Sequence, residues 1–174
     1  MTRDPQQLRH ARESALQMLY GWEMSGDALP EAIAGVRDLQ LRPPVAERDT
    51  LAVSLAQGTA RLLDRIDPLI AEAATNWRIE RLAVIDRLVL RLAVYELLER
   101  SDVPPAVVIN EAIELARTFS GPDAVRFVNG VLDAIRKRLE HERPPGTGHP
   151  PSPKPSARPG REPGNRSGTK SEGE

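Results

Sequence analysis

The chain has 174 residues, 40% of them hydrophobic, 28% charged and only 3% aromatic, with a formal net charge of −1 and no cysteine. That is apolar material for one globular domain with a core, in a residue mix that favours helix over strand, and it excludes disulfides, thiolate nucleophiles and thiolate metal sites. The charge average hides a division, with 19 basic and 22 acidic side chains up to Arg143 and 5 and 3 from Pro144 onward, so attraction to nucleic acid has to come from a local patch and not from the overall field.

The N-terminal stretch MTRDPQQLRHARE has no apolar signal core, which leads us to expect a cytoplasmic protein. A first helix is expected from Pro5 or Gln6 to Met24: Leu8, Ala11, Ala15, Met18, Leu19 and Trp22 recur at three- and four-residue steps, and Gly26 can close it. Arg9 and Arg12, with His10 beside them, sit in its first turns, where the helix dipole favours acids instead. Either they are a solvated surface or they await an anionic partner. A short helix near Pro30 to Leu39 is expected to stop at Pro43-Pro44. A longer pattern follows from Ala46 through Leu51, Leu55, Thr59, Leu62 and Ile66, with Gly58 on its apolar face where another helix can come close. Pro68 is read as a break at Asp67, with a new short helix to about Ala74.

The stretch Leu82 to Leu98, LAVIDRLVLRLAVYELL, is apolar over most of its circumference, with a narrow polar stripe through Glu80, Arg87 and Arg91. Such a helix, expected to begin shortly after Trp77, belongs inside a bundle, and its charges exclude a membrane span. Arg87 and Arg91 are expected to pair with acids of neighbouring helices. Asp86 interrupts the apolar arc with no (i, i+3) or (i, i+4) mate, so it is solvent-open, paired elsewhere in the chain, or left for a partner. Two more helices follow, about Pro105 to Phe119 and Pro122 to His141, separated at Gly121. Asn110 and Asn129 stand where Ala or Leu would suit a helix better, and are expected to be buried amides bonded to a neighbouring backbone, with Gly130 permitting close approach. The result is an all-α fold of about seven helices, residues 1–143. From Pro144 to Glu174 half of the chain's 16 prolines join Gly and Ser without a periodic apolar face, a composition expected to be disordered.

No catalytic constellation emerges. His10, His141 and His149 have no chelating spacing, and there is no phosphate loop, nucleophile elbow or HExxH, so neither an enzyme, a metal nor a cofactor is expected.

The segments ARESALQMLY, WRIERLAVIDRLVLRLAVYELL, VPPAVVINEAIELARTF and FVNGVLDAI, in this order over roughly Arg9 to Arg138, resemble the NusB family of bacterial transcription antitermination factors. INEAIELA and FVNGVLD are the most specific; the stretch Asp27 to Asp49 matches little. The resemblance implies two packed three-helix bundles with one extra helix. It implies binding of boxA RNA of ribosomal RNA leaders as a heterodimer with NusE, a small-subunit ribosomal protein, in a complex with NusA, NusG and RNA polymerase that passes terminators. The family's RNA-contacting positions fall on Arg9, His10, Arg12, Asp123, Arg126 and Phe127, with Leu8 where some members carry a further arginine. The NusE-facing positions fall on Tyr20, Glu80 and Asp86. Phe127 also lies on the apolar stripe of its helix, so core packing competes with base stacking for it.

RNA cytosine methyltransferases that open with a NusB-like domain use cysteine chemistry, which this chain cannot perform. A helical interaction protein without an RNA role, such as a homodimer, is the remaining rival. Deleting residues 144–174 is expected to leave the thermal midpoint unchanged in circular dichroism melts; a substantial fall would mean that the segment docks on the bundle.

Overall fold

The structure, a computed structural model, describes residues 4–39, 46–75 and 78–142, without the side chains at 37–39 and 46–49. The expected stop at Pro43-Pro44 and the proline-rich stretch 144–174 lie outside the described residues. These hold seven α-helices and no strand: α1 (Pro5–Ser25), α2 (Leu29–Leu39), α3 (Ala46–Arg61), α4 (Leu63–Ala73), α5 (Val84–Glu99), α6 (Pro105–Phe119) and α7 (Pro122–Glu142), with a 3-10 turn at Ile79–Arg81 before α5.

The ends of α1 follow from local chemistry. Pro5 occupies the first turn, where its missing N–H costs nothing, and the Asp4 carboxylate accepts from the Gln6 N–H at 3.0 Å. Gly26 stops the helix with φ 71°, donating its N–H to the Trp22 carbonyl at 3.3 Å. α1 packs against α2 and α3 on one side of the molecule, while α5, α6 and α7 pack on one another with α4 laid across α5 and α7. α5 joins the two groups because it also touches α1 and α3. Every residue from Leu88 to Val94 is buried, Arg91 included, so this helix is enclosed on all sides. Each buried Leu or Val there contributes about 1.5–3 kcal/mol relative to exposure. α5 begins at Val84, two residues later than its apolar run, and Glu80 falls in the preceding 3-10 turn and not on the polar stripe of the helix.

Three expectations are corrected. The break between α3 and α4 comes at Leu62, not at Asp67, and Pro68 lies inside α4. Buried Thr59 turns its hydroxyl back onto the Leu55 carbonyl at 2.8 Å, a bond that bends helices, and Leu62 closes a tight turn onto the Thr59 carbonyl before its own carbonyl starts α4. Pro68 removes one hydrogen bond on the exposed side of α4, while Ile66 and Ile70 bury fully on the other side and keep the helix in place. Asn110 and Asn129 are both exposed, and no neighbour lies within 4 Å of a Cβ placed at Gly130. The cores of α6 and α7 are formed by Val108, Ile109, Ala112, Leu115 and Ala116 and by Ala124, Val128, Val131, Leu132 and Ile135, which leaves both amides on outer faces.

Gly58 of α3 does what its place on the apolar face suggests. It is buried against Tyr95 of α5, and a Cβ there would collide with the phenol ring. Gly58→Ala is therefore expected to lower stability by about 1–3 kcal/mol through overpacking, against the helix-propensity gain of about 1 kcal/mol. Urea unfolding measures this, and in a Tyr95→Ala background the same substitution should cost nothing further.

Candidate nucleic-acid and partner interface

The arginines of α1 are drawn into the fold by acids distant in sequence. Arg12 is 4% exposed and makes a two-bond fork to Glu96 of α5, Nε to Oε1 and Nη2 to Oε2, both at 2.8 Å. Arg9, one turn earlier, forks onto Glu111 of α6 at 3.1 and 2.9 Å, and Arg12 Nη1 stands 4.0 Å from the same Glu111. The two arginines thus share one chain of charges with the two glutamates. The hydrogen bonds that Arg9 donates to Glu111, followed by the charge of that acid, raise the Arg9 pKa above its ordinary value.

Arg12 is therefore corrected as a phosphate ligand: its guanidinium is buried and taken up by Glu96, because a desolvated cation is tolerated only beside a matched anion. Arg9 keeps an open side, with its side chain 46% exposed. His10 is half-buried next to it.

A second arginine cluster fixes the other end of α1. Glu23 accepts from Arg87 at 2.7 Å and from Arg91 at 3.3 Å, and Arg91 forks onto Asp67 of α4 with two bonds of 2.8 Å. Burial alone would lower the Arg91 pKa, but the bonds and charges of Asp67 and Glu23 outweigh it and hold the pKa raised. Both arginines thus pair with acids of neighbouring helices, as their spacing suggests.

Asp123 and Arg126 are highly exposed and pair with each other at 3.0 Å, an (i, i+3) contact that contributes little to stability. Phe127 is half-buried: it packs on the core and also lines a pocket of about 190 Å³ with Arg81, Leu82, Ala83, Asp86, Asp123 and Ala124. Core packing and a binding role are thus both open to the same ring. Asp86 reaches this pocket from the first turn of α5, and its Oδ1 is buried with no hydrogen-bond partner in the protein. The residue as a whole is half-buried at the edge of the bundle.

Tyr20 is 41% exposed on α1, and Met24, one turn on, is exposed further still. Glu80 is exposed in the 3-10 turn. Sequence reasoning missed Glu96, Glu111 and Arg81. Glu96 had a signal, an acid among the apolar residues near the end of α5; Glu111 and Arg81 had none, since their surroundings depend on which helices meet. Among the described residues no group of three His, Cys, Asp or Glu side chains could hold a metal ion, and no helix is long and apolar enough to cross a membrane.

A family model described as "NusB family" matches residues 9–137. The transcription antitermination protein NusB of Solibacter usitatus (strain Ellin6076) is 42% identical over 137 residues, covering 79% of this chain and 93% of that protein. Among solved structures, T. maritima NusB superposes with a TM-score of 0.69 at 31% identity, covering 82% of this chain and 100% of that one. A crystal structure of the antitermination factors NusB and NusE in complex with double-stranded RNA gives a TM-score of 0.70 at 28% identity, covering 78% of this chain and 99% of its match.

Glu96→Ala would leave Arg12 buried without its fork. Chemical denaturation is expected to register a loss of about 3–5 kcal/mol, whereas replacing both partners by apolar residues, Arg12→Met with Glu96→Leu, should recover most of it.

Proposed function

The chain belongs to the NusB family, and from that premise we propose that it is a transcription antitermination factor which binds boxA-type RNA of ribosomal RNA leaders together with NusE in the cytoplasm. It binds and does not catalyse. The observation that carries the reading is the pocket between α5 and α7, where Asp86, with its Oδ1 buried and unbonded, shares a wall with Asp123 and Phe127. An uncompensated carboxylate oxygen is costly in a free protein and becomes favourable when a partner's arginine or lysine reaches it. A basic protein segment seated there would lie against the same residues that the RNA reading assigns to α7. The partner face extends to Tyr20 and Glu80, both exposed.

On the RNA side we assign Arg9 and His10 of α1 and Asp123, Arg126 and Phe127 of α7. Arg9 and Arg126 supply charge for phosphates, and Phe127 offers a ring edge at the pocket mouth for a base. Arg12 serves this face indirectly, by fixing Glu111 and with it Arg9. The RNA–NusE complex would then join NusA, NusG and RNA polymerase to carry the enzyme past terminators.

Titration calorimetry with purified NusE tests the reading. Asp86→Lys should leave the helical circular dichroism signal intact and weaken the complex severely, because a desolvated charge pair typically costs about 2–5 kcal/mol to break and here it is reversed. Unchanged affinity for NusE would remove the pocket from the interface, and an unfolded variant would make Asp86 a structural group. A wild-type chain that binds neither NusE nor boxA RNA would leave the helical interaction protein, as a homodimer, in its place.

A further inference from the structure

We propose that Glu111 restrains Arg9, so that the isolated chain grips RNA phosphates weakly and gains selectivity by doing so. The inference rests on the reading of α1 as part of the RNA face. Glu111 lies on α6, 102 residues from Arg9 in sequence, and takes its Nε at 3.1 Å and its Nη2 at 2.9 Å. That parallel fork is the arrangement with which a guanidinium clasps a phosphate, so acid and phosphate compete for the same edge.

The pair differs from an ordinary surface ion pair, which opens easily. Arg9 is the outer member, and Glu111 sits beneath it with its side chain only 17% exposed. Glu111 also stands 4.0 Å from Arg12 Nη1, and Arg12 is locked onto Glu96 by two bonds in the interior. A cation fixed in the interior therefore adds its attraction to the acid at 4.0 Å. Glu13 and Glu114 add to the negative field around Arg9.

This arrangement changes binding in two ways. An arginine whose charge is already balanced within the protein releases little counterion when RNA arrives, so it adds little to affinity or to its salt dependence. Phosphate contacts are also blind to sequence, so a restrained arginine suppresses binding to arbitrary RNA more than binding to a site read through its bases. Glu111 thereby acts as a selectivity residue without touching a base.

The test compares the wild-type chain, Glu111→Gln, Arg9→Ala and the double variant, each checked for folding by thermal melting. Fluorescence anisotropy reads binding to a short boxA-type RNA and to an oligouridylate of the same length, across a salt series. Glu111→Gln is expected to bind oligouridylate several-fold more tightly, to steepen the log–log salt slope by about 0.7 as Arg9 becomes free to neutralise one phosphate, and to narrow the preference for boxA-type RNA. In the Arg9→Ala background the same substitution should change none of these. Equal tightening with and without Arg9 would mean a general loss of negative charge, and no tightening would mean that Glu111 does not compete; either overturns the inference. If Arg9→Ala weakens RNA binding while Glu111→Gln has no effect, the RNA face stands and only the restraint falls. If Arg9→Ala itself leaves binding and slope unchanged, α1 is not part of the RNA face and both fall.

Discussion

The fork between Arg12 and Glu96 fixes the geometry on which the rest of the surface depends. Burying a guanidinium and a carboxylate is tolerable only when their bonds are short, paired and aligned, as they are here at 2.8 Å. That requirement admits one register of α1 against α5. The second cluster, Glu23 with Arg87 and Arg91, pins the far end of α1 to the start of α5, so the two helices run antiparallel. Between these clamps the apolar residues Ala15, Leu16, Met18 and Leu19 meet the core and Tyr20 is turned outward, as is Met24 just past the second. Hydrophobic burial drives the two helices together, while the charge pairs decide how they are aligned.

The same economy of charge shapes the surface we propose for RNA. Residues 1–143 carry more acids than bases, and the cations of interest are matched by acids: Arg9 by Glu111, Arg12 by Glu96, Arg126 by Asp123. A protein built this way does not attract nucleic acid through a bulk field, and its affinity depends on a few contacts and on the partner bound beside them. The pocket that joins Asp86 to Asp123 and Phe127 places a carboxylate oxygen without a bond in the chain next to an aromatic ring. A protein partner and an RNA that met there would each alter the setting of the other.

The function proposed above resides in surfaces and not in a reacting centre, and those surfaces are made by elements distant in the chain. α1 contributes the basic turn, α6 the acid that restrains it, α5 the unbonded carboxylate and α7 the aromatic ring. Each lies on a rigid helix whose other face is core, so the binding groups are positioned by packing before any ligand arrives. Residues that do not enter the core, such as Asn110 and Asn129, lie on the outer sides of α6 and α7.

What the sequence determined by itself is the helical content, because a 3.6-residue apolar period and its Gly and Pro stops are local properties of the chain. α1, α6 and α7 could be read with ends within about two residues; the start of α5 could not, because the 3-10 turn at Ile79–Arg81 replaces its expected first turn, though the enclosure of α5 followed from its apolar circumference. The pairing of Arg87 and Arg91 with acids was legible too, since cations on a buried helix must be matched. Tertiary structure alone decided which acids meet which arginines, because Glu96 and Glu111 lie 84 and 102 residues from their partners. It also decided that Pro68 is absorbed within α4, where the burial of Ile66 and Ile70 outweighs one lost hydrogen bond, and that the two asparagines face outward. Local propensity registers a proline or an amide as an anomaly, but the side of the helix that a neighbour covers is settled only when the helices meet.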